Sequence, residues 1–433
     1  GSMTVLSSMN SGVSGLQAES DALGIVGDNI ANVNTVGFKS QRAVFEDVLG
    51  HSILAGTASG LPGSGVKIGD VQQMFTQGTL SNTGVSTDVA LNGDGFFVVK
   101  GAVDGVSSNF YTRAGQFSID KDGNLANSQG LKVQGYQANG DGTFAASIST
   151  VAAPTAALPA KATKGVSVTA NIDADAKVPA LAFDPLDPAN TSNFSTTISV
   201  YDSLGNSHTL DVYFAKTADN TWDYHAMVPG SDLAPPVAGN AEIGTGSLAF
   251  TTDGALDTVT TGTAISASFT GATANQPITL DFGTPIAGGG TGLDGTTQFA
   301  GQSNVSSQSQ DGYASGDFSG VSVDGQGVVT GLYTNGQKVA MSQLAIAKFR
   351  SNDGLGRAGQ NLWIDTRDSG TAAMGTAGSG GRGATTGGAL EGSNVDLASE
   401  FVSMIQHQRS FSANSKTITT ADEMLQELIN IKR

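Results

Sequence analysis

Asp120-Lys121-Asp122-Gly123-Asn124 has the spacing with which a calcium-binding loop opens. Such a loop closes on a bidentate carboxylate at its twelfth position, and here that position holds Leu131. The same residues read instead as a β-hairpin turn in which Gly123 supplies a positive φ. The triplets Gly63-Ser64-Gly65, Gly93-Asp94-Gly95 and Gly325-Gln326-Gly327 lack the third glycine and following helix of a phosphate cradle. With 59 glycines in the chain, such triplets arise by chance. The four histidines, His51, His208, His225 and His407, stand far apart, and the absence of cysteine removes disulfides, thiolate metal sites and thiol nucleophiles together. His225, beside Tyr224 on an expected strand, reads as a structural histidine. His407 reads as a helix-surface or interface residue. Carboxylates are scattered, with none paired as acid and base. No catalytic, cofactor-binding or metal-binding residue is expected, and no enzyme.

The elements around these residues must therefore carry the function. Of 433 residues, 39% are hydrophobic, enough to build cores, but only 14% are charged, against about 25% in ordinary soluble domains. The 21 basic and 38 acidic side chains leave a net charge of -17. That balance disfavours nucleic acid, which demands a concentrated Lys/Arg face, and disfavours anionic lipid. No run approaches the ~20 apolar residues of a membrane span, and no basic segment followed by an apolar block marks a secretory signal peptide.

At about 150 residues per domain the length suggests roughly three units. Ten of the 11 prolines fall between Pro154 and Pro285, Pro62 being the exception. This composition marks an inserted outer β domain over 146–285. Within it, Thr196–Val200 and Thr209–Phe214 flank the turn 202–206 as a hairpin, and Phe194, Ile198, Val200, Leu210, Val212, Phe214 and Trp222 are the expected core. The flanks, 51–145 and 286–368, read as two parts of one inner β domain, with strands at Phe96–Val99 and Leu344–Phe349. They carry hairpins around 120–123 and 324–327. A Gly-rich segment over 369–389 is either a flexible linker or an extended arm that orders between neighbouring subunits.

The ends differ. Over 1–50 a stripe runs Leu6, Met9, Val13, Leu16, Ser20, Leu23, Gly27, Ile30, in alternating steps of three and four. Over 390–433 the same spacing gives Leu397, Phe401, Met404, Gln408, Phe411, Ser415, Ile418, Asp422, Leu425, Ile429. Both predict amphipathic helices with a seam period near 3.5, as in coiled coils. Asn394 or Ser393 is placed to cap the second helix, with Asp396 in its first turn. Such helices either cover a sheet or pair with each other and with other copies. A stripe separated from the β domains by a Gly-rich segment favours the second reading. The expected self-assembly seam is Leu6, Met9, Val13, Leu16, Leu23, Ile30, Leu397, Phe401, Met404, Phe411, Ile418, Leu425 and Ile429. The fold class is mainly β, with nested domains and α-helical termini forming a coiled-coil-like inner domain.

Ser14-Gly15-Leu16-Gln17-Ala18 and Asp28-Asn29-Ile30-Ala31-Asn32-Val33-Asn34-Thr35-Val36-Gly37-Phe38-Lys39 resemble the N-terminal signature of the bacterial flagellar rod and hook proteins. Leu390-Glu391-Gly392-Ser393-Asn394-Val395-Asp396-Leu397, Ala413-Asn414-Ser415-Lys416 and 421–428 resemble the C-terminal signature. Gly95–Val99 and Tyr111–Phe117 fit as middle markers. The last residues look most like the hook branch of the family. The resemblance implies a subunit that polymerises into a hollow flexible tube, the universal joint passing motor torque to the filament, with terminal helices lining the inner wall. It further implies partners: itself, the distal rod, the hook cap and the hook–filament junction proteins. Export through the flagellar type III apparatus without a cleaved signal peptide, an extracellular place in the flagellum, and no cofactor are implied too. A distal-rod-like protein, a secreted β-rich adhesin and a hydrolase on a β scaffold are the alternatives.

Overall fold

Helix α1 (Ser2–Ala31) carries Gly12, Gly15, Gly24 and Gly27 in its interior, each costing up to ~1 kcal/mol against alanine. Two of them permit a close approach. In the computed structural model, which describes residues 2–49 and 63–432, a Cβ on Gly12 would lie 2.9 Å from Ile418 and one on Gly15 2.6 Å from Asn414. Both partners belong to helix α2 (Leu397–Ile431). His51 and Pro62 lie outside the described residues. Beyond α1, Asn32 Nδ2 donates to the Asp28 carbonyl at 2.9 Å and the Thr35 hydroxyl donates to Asn32 Oδ1 at 2.9 Å. Gly37 then takes φ 69° where a Cβ would meet the backbone of Arg113 and Ala114 at 2.7 Å, so only glycine fits. The cap of α2 is Asp396, whose carboxylate accepts the Ala398 N–H at 3.1 Å. Ser393 and Asn394 lie too early to cap it, and Asn394 is engaged elsewhere.

The chain divides into two compact units, 1–155 with 319–332 and 338–433, and 156–318 with 333–337. In the first, β1 (Gln41–Leu49) and β2 (Gly63–Gln73) pair antiparallel. The main sheet of this unit is antiparallel and draws Phe96–Val103, Val106–Thr112 and Lys132–Ala138 together with Lys338–Lys348. Early and late chain segments thus share one sheet, as an insertion requires. Phe96, Val98, Tyr111, Ala345, Ala347, Phe349 and Trp363 form a core there. The turn at 120–124 is the hairpin: Asp120 Oδ1 accepts the N–H of Asp122 and Asn124, and Oδ2 meets Lys132 at 3.0 Å. The Gly-rich segment contributes the strands Ala373–Thr376 and Ala384–Gly387, the first paired to Lys338–Lys348 and the second to Val89–Asn92.

The second unit is built on an antiparallel meander, Phe194–Tyr201, Ser207–Ala218, Thr221–Pro229, Asn240–Phe250 and Leu256–Thr261. A three-stranded sheet places Gly165–Asn171 between Thr279–Asp281 and Asn304–Gln310. Val200, Leu210, Val212, Phe214 and Trp222 are fully buried, and Phe194 and Ile198 pack against them. The unit's limits are set by pairing. Phe144–Thr150 pairs with Lys132–Ala138 in the first unit, so position 146 is not a boundary. At the other end Asn304–Gln310 pairs with Gly165–Asn171, which carries the unit past 285.

Candidate assembly surface and the polar knot beside it

The two terminal helices run antiparallel, since residues late in α1 meet residues early in α2. Asn29 Nδ2 donates to Glu400 at 3.3 Å, Glu19 pairs with His407 at 2.5 Å, and Gly12 faces Ile418. The buried stripe of α1 is Gly12, Gly15, Ala18, Ala22, Val26 and Asn29. It is a small-residue face, displaced by about one position from the stripe of large apolar residues. Met9, Leu16, Leu23 and Ile30 are half-buried beside it, whereas Leu6 and Val13 are 52% and 51% exposed. On α2, Met404, Ile418 and Leu425 are half-buried, while Leu397, Phe401, Phe411 and Ile429 are exposed. Side-chain size explains the shift: the small face of α1 leaves room for Asn414 and Ile418 of α2, so the backbones approach closest there. The larger apolar residues are left on the outside, joined by Val402, Ile405, Leu428 and Ile431.

Where the helices meet the first unit's sheets, three charged side chains are buried together. Glu391 Oε1 lies 2.6 Å from Lys39 Nζ, and Glu391 Oε2 lies 2.7 Å from Arg113 Nε. All three are at most 5% exposed. Further hydrogen bonds support the cluster. Lys39 Nζ donates to the Thr76 carbonyl at 2.7 Å, and the Gly78 N–H donates to Glu391 Oε1 at 2.9 Å. The Arg113 guanidinium donates to the carbonyls of Gly93, Gly95 and Leu91 and to Gln77 Oε1. Burial pushes the Lys39 ammonium below its ordinary range; Glu391 opposes that shift and Arg113 adds to it. Next to this cluster Asn394 accepts the Ser40 N–H at 2.7 Å and donates to the Met74 carbonyl at 2.7 Å. Asn29 exchanges two hydrogen bonds with the Gln41 backbone, at 2.7 and 2.9 Å. The knot thus ties the exit of α1, the entry to α2 and the sheet between them.

Lys39, Arg113 and Glu391 were not legible as a set in the sequence. Each is the lone charge within an otherwise uncharged stretch of a signature segment (35–39, 111–117, 390–394), which is the signal that marks them in a chain so poor in charge. His225 pairs with Glu242 at 2.8 Å and stacks on Phe183 at 3.7 Å, a structural role. Among the described residues no group of three or more His, Asp or Glu is placed to hold a metal ion, and no helix is long and apolar enough to cross a membrane.

Paired terminal helices that bracket nested β units, with the two signatures knotted together, define an axial protein of the bacterial flagellum. Residues 9–39 match the flagella basal body rod protein family and 386–431 the C-terminal region of the flagellar basal body rod FlgEFG proteins. Residues 90–178 match the D1 domain of the flagellar hook proteins FlgE/F/G, and 171–313 the D2 domain of the flagellar basal body protein FlaE. The flagellar hook protein FlgE of Salmonella typhimurium is 37% identical over 98% of this chain and 100% of its own length. That of Escherichia coli K12 is 36% identical over 97% and 98%. The crystal structure of Helicobacter pylori FlgE2 is similar in fold, with TM-score 0.50 and 16% identity over 72% of this chain and all of that one. The chain belongs to the flagellar hook protein FlgE family.

Proposed function

We propose that this chain polymerises through its terminal helices into the hollow, flexible hook, the joint that passes motor torque to the filament. The observation that carries this reading is the apolar surface left on the paired helices. Leu6, Val13, Leu397, Phe401, Phe411 and Ile429 are exposed although each lies on a coiled-coil spacing. An apolar stripe of this length on a water-facing helix pair is stabilised by burial against another copy. Each large side chain so buried contributes roughly 1.5–3 kcal/mol. The half-buried Met9, Leu16, Leu23, Ile30, Met404, Ile418 and Leu425 form the inner edge of the same seam. At the ends of the polymer the partners are the distal rod, the hook cap and the hook–filament junction proteins, and the subunit reaches them through the flagellar type III export apparatus.

Electron microscopy of the purified chain under salting-out conditions tests the reading. Hollow tubes of regular helical symmetry are expected; soluble monomer or amorphous aggregate at every concentration of protein and salt overturns it.

A further inference from the structure

The charges of this chain are unevenly divided. The second unit carries four basic and sixteen acidic side chains, a net of -12 out of -17. Over 319–332 and 338–389, in the first unit, six basic side chains stand against only four acidic ones.

Three of those cations converge at one end of the main sheet. Lys348 is the last residue of its strand, paired with Ala373, and Arg350 follows two residues later, past the buried Phe349. A Cβ on Gly381 would lie 2.6 Å from Lys348 Nζ, so the glycine lets the loop run close beside the ammonium of the half-buried Lys348. Arg382, on that loop, donates to the carbonyls of Ile346, Ala373 and Ser379 at 3.0, 2.9 and 3.2 Å. All three acceptors are neutral. Among the described residues no carboxylate lies within ion-pair distance of Lys348, Arg350 or Arg382. The first unit's buried cations, Lys39 and Arg113, are by contrast matched by Glu391. An unmatched cationic cluster on a strongly acidic chain is a complement to the rest of that chain's own surface.

We propose that Lys348, Arg350 and Arg382 form a docking surface for an acidic face of the second unit of a neighbouring copy. This rests on the polymer reading above and adds to it a second, polar contact apart from the helical seam. Exposed charge pairs are individually weak and screened by salt. A contact built from them slides and re-forms at little cost, which suits a tube whose subunits shift against one another as it turns.

The test uses assembled full-length chain made from equal amounts of unlabelled and 15N-labelled protein, joined by a zero-length carbodiimide cross-linker. Mixed-isotope peptides linking Lys348 to Asp or Glu within 156–318 are expected. Lys348 links confined to one copy, links only to carboxylates outside 156–318, or no Lys348 link in tubes would overturn the proposal. In parallel, the Lys348→Glu/Arg350→Glu variant should raise the concentration needed for tube formation on the order of 10-fold at low ionic strength, the effect fading as salt rises. Lys348→Arg should assemble normally. Wild-type chain that forms no tubes defeats the polymer reading itself, whereas wild-type tubes with an indistinguishable variant defeat only the cationic contact. A variant with a lowered melting temperature leaves the decision to the wild-type cross-links.

Discussion

The second unit and the junction beside the helix pair are held in opposite ways. The unit's core is large and apolar: Phe214, Trp222, Leu210, Phe269, Phe282 and Leu248 are buried to within 1%. Within it the buried Trp222 is anchored by one polar contact, Nε1 donating to Gln298 Oε1 at 2.6 Å. At the junction the buried groups include Lys39, Arg113, Glu391 and Asn29, and beside them α1 presents mostly glycine and alanine to α2. Apolar burial is non-directional, and such a core tolerates volume-conserving substitution. Hydrogen-bonded buried charges do not, because a displaced partner leaves a charge without solvation. The difference places a forgiving core in the second unit and a fixed geometry where two chain ends must present one surface.

The largest effect should come from breaking the knot. Glu391→Ala leaves Lys39 and Arg113 buried without a counter-charge, and should cost about 3–5 kcal/mol in the denaturant transition of the first unit. A loss under about 1 kcal/mol there would remove the contrast. In the second unit Leu210→Ala should cost about 3 kcal/mol through lost burial and a cavity, moving that unit's transition while far-UV circular dichroism of the helices stays unchanged.

A smaller effect is set by pH. Asp202 is buried, which by itself raises its pKa. The hydrogen bonds from His208 and from the N–H groups of Asn206 and Leu204 outweigh that and hold it below 3.8. A carboxyl depressed in the folded state contributes stability that is present above its unfolded value and lost as pH falls through the folded one. The second unit should therefore lose stability below about pH 3.8, and Asp202→Asn should flatten that part of its stability profile. An equally steep profile in the variant would assign the acid loss elsewhere. The smallest effect on stability is expected from Phe401→Asp. Phe401 is 46% exposed, so the isolated subunit should change by no more than about 0.5 kcal/mol, yet tubes should not form. If sedimentation shows normal polymer, Phe401 is not in the seam.

Much of this protein could be read from its residues. The hairpin turns at 202–206, 120–124 and 324–327 were legible because Gly and Asp there fix local backbone geometry, independent of anything distant. The terminal helices were legible from period alone, and the family from contiguous motifs. The face along which α1 packs on α2 was not legible, because periodicity weighs apolar size whereas antiparallel packing selected the smallest side chains, Gly12, Gly15, Ala18 and Ala22. The Gly-rich segment could not be told from a linker, since pairing of Ala373–Thr376 with Lys338–Lys348 depends on a partner strand brought near by the rest of the fold.

Local sequence therefore determined which elements form and where they turn. Only the tertiary structure decided which faces are buried and which charges meet. Lys39, Arg113 and Glu391 are separated by up to 352 residues along the chain, and no local preference encodes a contact of that span. It exists because the sheets between them close, and burial then makes the pairing of those three charges obligatory.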